Sequence, residues 1–179
     1  MRSTIPAMGD TPTPAAVFSR VVAQPGRLLT AVPPFVFALP EGWVLDEGPS
    51  ALAIIRLPKE IDGFWVNAIL SHDKVARAVS LQRAAQVTWA KLQQTGVKDL
   101  VPKGEKGLVF GNTQIYVRGC EFTSPDDRAL AQLQAIWFAP VTEGGKTVDL
   151  FQLVLTAPKE LMPKVTAPII EMLSTFRFT

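Results

Sequence analysis

From Pro33 onward the chain breaks into short apolar runs separated by turn residues, the texture of strands joined by tight connections. Phe35, Phe37 and Leu39 alternate with Val36 and Ala38 until Pro40-Glu41-Gly42 ends the run, and residues 43–45 resume it. Residues 51–57 (ALAIIRL) are almost wholly apolar, as an internal strand is. After a loop over 58–63, residues 63–72 (GFWVNAILSH) predict the next strand. Successive strand residues point to opposite faces, so Phe64, Val66, Ala68 and Leu70 share one face and Trp65, Asn67 and Ile69 the other. Apolar groups on both sides predict cover on both.

The period changes at Ser80. Leu81, Ala84, Ala85, Thr88 and Leu92 recur at helical spacing, with Gln82, Arg83, Gln86 and Gln93 mostly on the opposite side, the pattern of an amphipathic helix. Ser80 is placed to cap its first turn and Gly96 to end it. Residues 97–107, with Pro102 and Gly104, read as a polar connector. Gly111-Asn112 then turns a hairpin between residues 108–110 and 113–122. A second hairpin, across residues 142–146, joins 129–138 to 148–156. Leu161, Val165, Ile169, Met172 and Leu173 predict a terminal helix; Pro163 suits its first turn, whereas Pro168 is expected to kink or restart it.

Ahead of all this, residues 1–14 are rich in Pro, Thr and Ser and read as irregular, and residues 15–23 predict a short helix ended by Pro25-Gly26. The chain therefore divides into an N-terminal arm, 1–32, and one domain, 33–179. The order strands, helix, strands, helix, with hairpin-length links, predicts an α+β fold. Its expected form is an α/β/α sandwich around a twisted, mainly antiparallel sheet of six or seven strands.

Composition narrows the function more than it names it. Eighteen Lys and Arg stand against sixteen Asp and Glu in 179 residues, for a formal charge of +2. That excess is too small for a surface that tracks phosphates, so no nucleic-acid partner is expected. One His and one Cys exclude a multi-His or multi-Cys zinc or iron–sulfur site, and no cofactor is expected. A single Cys closes no intramolecular disulfide. No run of eighteen uncharged apolar residues occurs, so no transmembrane segment is expected. The first residues lack the apolar core of a signal peptide and there is no Cys near the start. The expected location is cytoplasmic as the sequence is written, or the cell envelope if an export segment has been removed.

Catalytic motifs fail on geometry. Ser71-His72-Asp73 holds the residue types of a hydrolase triad, but neighbours along a strand point apart and cannot converge on one centre. His72 and Cys120 are the candidates an enzyme would use, and both read as structural, Cys120 as a small hydrophobe within a strand. Residues 103–107 (KGEKG) lack the spacing of a phosphate loop. Asp126-Asp127 reads as an exposed turn. Lys91, Lys98, Lys103 and Lys106 form a local basic cluster with Asp99 and Glu105 among them; an acidic partner or a lipid headgroup could use it, but it reads first as a solvated face. Trp65 and Trp137 read first as core residues. They are also the best candidates to line a groove, with Gln134, Phe138, Phe151 and Gln152 beside them. Whether Gln134 and Gln152 are neighbours depends on hairpin register.

The succession FALPEGWVLDE, ALAIIRLP and GFWVNAILSHDKV, then one helix, a hairpin turned by GN, a long second hairpin and a terminal helix ending in STFRF, resembles the PsbP-like superfamily. The actinobacterial LpqN/LpqT lipoprotein family is the most similar group within it, with DcrB-like proteins more distant. The resemblance covers residues 33–179 and implies an α/β/α sandwich with no common catalytic site. It also implies binding, scaffolding or assembly roles, and for the LpqN group an association with the cell envelope and lipid handling. This chain lacks that group's lipobox Cys. The expected function is a non-catalytic binding or scaffold protein, acting through a protein partner or self-association, with residues 1–32 as a docking arm. The second reading is a carrier of a lipid-like ligand held between sheet and helix, and an enzyme built on His72 or Cys120 comes last.

Overall fold

A computed structural model describes residues 31–141 and 143–179. The short helix expected at 15–23 and most of the arm lie outside the described residues, as does Thr142 of the second hairpin turn.

Within the unit Pro33–Thr179, seven strands form one antiparallel sheet: β2 (Val44–Asp46), β3 (Ala53–Arg56), β4 (Asn67–Ala76), β5 (Lys98–Phe110), β6 (Thr113–Thr123), β7 (Ala129–Phe138) and β8 (Thr147–Pro158). Their order across the sheet is β2-β3-β4-β8-β7-β6-β5. The last four strands form a meander, whereas β4 pairs with β8, from which a helix and three strands separate it in sequence, through Leu70↔Leu153, His72↔Phe151 and beyond. A separate two-stranded ladder pairs β1 (Phe35–Val36) with β9 (Arg177–Phe178).

Two helices cover opposite faces. α1 (Leu81–Gln93) starts where the sequence places it, with the Arg83 backbone N–H donating to Ser80 Oγ at 3.2 Å. It buries Ala84, Ala85 and Leu92 against Ile136, Leu150, Cys120, Phe122 and Leu130. α2 (Met162–Thr175) buries Val165, Ile169, Met172 and Leu173 against Ala68, Leu70, Ile115, Trp137, Phe151 and Leu155 on the other side. The α/β/α sandwich is thus assembled from two unequal cores.

Four details differ from the sequence reading. β4 starts later than expected because Asp62 and Gly63 take positive φ and close a tight turn between Ile61 and Phe64. Residues 98–107 are strand rather than connector, since β5 is an edge. Pro102 sits there beside register shifts at Lys98/Val101 and Pro102/Gly104, and an edge strand tolerates a missing donor. Pro168 lies inside a continuous α2, so it neither ends nor restarts that helix. The terminal FRF leaves the helix to form β9 and adds Phe176 and Phe178 to an aromatic cluster with Phe35 and Phe151. At the Gly111-Asn112 hairpin the expectation and structure coincide, with Gly111 at φ 59°.

Candidate functional site: an open groove beside helix α1

Register decides which side chains meet. Tyr116, Arg118, Cys120 and Phe122 of β6 lie on the α1 side, and their cross-strand partners are Ile136, Gln134, Gln132 and Leu130 of β7. Ile136 in turn pairs with Gln152, and Gln134 with Val154. Gln134 and Gln152 are therefore diagonal neighbours on one face rather than a facing pair.

Arg118 ties α1 to this face. Its guanidinium lies 4.9 Å from the Trp89 ring centroid, donates to the Ala85 carbonyl at 3.4 Å and to Tyr116 Oη at 2.9 Å, and pairs with Glu105 at 3.2 Å. The bonds from Tyr116 and Arg118 hold the Glu105 carboxyl below its ordinary range. Gln134 is buried beneath the helix and donates to Gln132 Oε1 at 2.8 Å. Cys120 is buried in the same layer; burial pushes its thiol up to about 11, with Arg118 acting weakly the other way.

α1 covers only part of the sheet. Beyond it lies a cavity of about 390 Å³ between the helix and strands β4 and β8. Ser71, Asp73 and Val75 of β4 and Leu150 and Gln152 of β8 form its floor. Arg83, Val87, Thr88 and Lys91 of α1 form one wall, and Ser50 closes part of the far side. Outside the cavity lining, the same sheet face carries two more half-exposed apolar side chains, Ile69 of β4 and Trp65 just before it. Trp65 is 42% exposed, Ile69 39% and Val87, on the helix edge, 46%. Arg56 lies over the Trp65 ring at 4.5 Å and pairs with Asp46.

The residues singled out from sequence separate into four places. Gln152 lines the cavity and Phe138 packs against the α1 core beside it. Gln134 lies under the helix, and Trp65 stands half-exposed outside the cavity lining. Trp137 and Phe151 stack at 6.0 Å on the opposite, α2 face and have no exposure. His72 is on that face too, edge-on to Phe151 at 5.2 Å with Nε2 2.7 Å from Asp149. Ser71 and Asp73 lie on the α1 face, so the three consecutive residues diverge as alternation requires. Of the wall residues, the sequence places Arg83 on the polar side of the helix and Lys91 in a basic cluster, and singles out neither as a groove residue; Val87 carries no sequence signal of its own. The available signal was that α1 has two charged residues, both cations.

Among the described residues no helix is long and apolar enough to cross a membrane, and no three His, Cys, Asp or Glu gather as metal ligands.

No protein-family model matches the chain, and no curated protein matches it significantly. Solved structures do. The structure of LpqN, involved in cell envelope biogenesis of Mycobacterium tuberculosis, superposes with a TM-score of 0.67 at 13% identity, covering 83% of this chain and 84% of LpqN. The fold is PsbP-like. The cyanobacterial PsbP, CyanoP, of Synechocystis superposes with a TM-score of 0.56 at 14% identity, over 81% of this chain and 86% of CyanoP. Identities this low carry the PsbP-like fold and leave the groove to be read from its own residues.

Proposed function

We propose that this PsbP-like domain is a non-catalytic binding module that receives a protein partner in the groove beside α1. The observation that supports it is the open half of the α1-side sheet face. There a cavity of about 390 Å³ shares its sheet face with the half-exposed side chains of Ile69 and Trp65, outside its lining. Exposed apolar surface that is concave and rimmed by polar groups marks interaction sites. The floor mixes Val75 and Leu150 with Ser71, Asp73 and Gln152, which suits a peptide's alternating apolar and hydrogen-bonding needs better than an acyl chain's. His72 and Cys120 sit on opposite faces of the sheet, so they share no reaction centre. The LpqN structure's association with cell envelope biogenesis makes an envelope assembly one setting for such a module.

Native mass spectrometry of protein purified gently from its own organism tests this reading. A protein adduct retained by the wild type and by Val109→Arg on β5, and lost in Val87→Arg, is expected. An adduct of lipid mass lost in Val87→Arg instead assigns the groove to the carrier reading and overturns this one.

A further inference from the structure

Resting on that reading, we infer that the groove selects an extended partner segment in which two acidic residues flank an apolar one at alternate positions. α1 has two charged residues, Arg83 and Lys91, and no acid. Both line the cavity, with Val87 midway between them on the same lip. Neither forms an ion pair among the described residues; Arg83 reaches Gln86 Oε1 at 3.1 Å. By contrast Lys98 and Lys103, of the same sequence cluster as Lys91, are engaged by Asp127 and Glu121. Across the groove stands one carboxylate, Asp73, so the lip is cationic and the site as a whole keeps a positive excess.

Spacing sharpens the match. At a helical rise of about 1.5 Å per residue, Arg83, Val87 and Lys91 follow one another at intervals of about 6 Å. An extended chain advances about 6.6 Å over two residues, and alternate side chains share a side. An acid, an apolar residue and an acid at positions i, i+2 and i+4 therefore meet Arg83, Val87 and Lys91 in order. The intervening side chains face the sheet floor, where Ser71 and Gln152 offer hydrogen bonds beside Val75 and Leu150. Charge complementarity of this kind fixes register and partner choice more than it raises affinity.

The test is selection from a displayed library of random ten-residue peptides on the full chain, with Val87→Arg and the double variant Arg83→Glu, Lys91→Glu in parallel. Anionic phosphatidylglycerol vesicles are assayed alongside. The expected result is enrichment of peptides with alternate acidic and apolar positions. The double variant should bind each selected peptide about tenfold more weakly, as the loss of two modest ion pairs implies. Peptides selected without acidic bias but lost in Val87→Arg would overturn the acidic partner and leave the groove as a docking site. Selection equally strong on Val87→Arg, or no selection at all, would overturn both. Vesicle binding in place of peptide selection would overturn the inference in favour of a membrane surface.

Discussion

The rings of Trp137 and Phe151 stack across β7 and β8, with centroids 6.0 Å apart, planes inclined by 20° and no exposure of either residue. They are direct cross-strand partners, and Phe176 meets both edge-on, at 5.0 and 5.9 Å. This cluster pins the end of α2 and the β1–β9 ladder to the central strands.

Removing either ring opens a void that the closed sandwich fills poorly. Phe151→Ala and Trp137→Ala are each expected to cost about 3–5 kcal/mol, read from the midpoint of denaturant unfolding. A loss below about 1 kcal/mol would show that this cluster is peripheral to the stability of the domain.

Asp149 accepts from Lys74 Nζ at 2.6 Å as well as from His72 Nε2. Desolvation pushes its carboxyl up, but the bonds from Lys74 and His72 together outweigh this and leave it lowered. A carboxylate with a lowered folded pKa stabilises the fold fully above its unfolded value of about 4, and that contribution disappears as pH falls through the folded value. Asp149→Asn is thus expected to cost about 1–3 kcal/mol at neutral pH. The gap to wild type should close on acidification below pH ~4, as a pH series of unfolding curves would display. A gap that stays constant would contradict the pairing.

Cys120 should be chemically quiet in the native state. With its thiol raised to about 11 and its surface buried, alkylation at pH 8 is expected to run roughly 100-fold or more slower than in the unfolded chain. Timed labelling with and without denaturant measures this. Comparable rates would mean that the layer under α1 opens readily.

Arg118 holds the groove's helical wall in place through Trp89 and the Ala85 carbonyl. Arg118→Ala is expected to remove about 2 kcal/mol, through lost packing as well as lost charge. It should raise amide exchange across residues 81–93 ahead of the sheet. Uniform acceleration across α1 and the sheet would assign the residue a global role instead.

How far these features were legible differs with their range in sequence. Local signals carried well: Ser80 capping α1, Gly111-Asn112 turning β5 into β6, and the apolar run of residues 51–57 that holds β3. β5 was hidden because Pro102, Gly104 and Gly107 spoil a strand pattern, and nothing local says that a segment lies at an edge. The α1-side groove was hidden for a related reason. The apolar groups on both sides of residues 64–70 suggest cover on both, yet how far α1 reaches across the sheet depends on the non-local β4–β8 pairing. Trp65 and Ile69 therefore remain half open where Trp137 and Phe151, alike in sequence terms, are sealed.

The most direct test of the groove as a protein-docking surface is site-specific photo-crosslinking in cells of the chain's own organism, with benzoylphenylalanine placed at Val87 and, as control, at exposed Val109 on β5. The account predicts a discrete protein adduct from position 87 that is absent from position 109 and is lost when Arg83 and Lys91 are both changed to Glu. Equal adducts from both positions, or none from position 87, would contradict it.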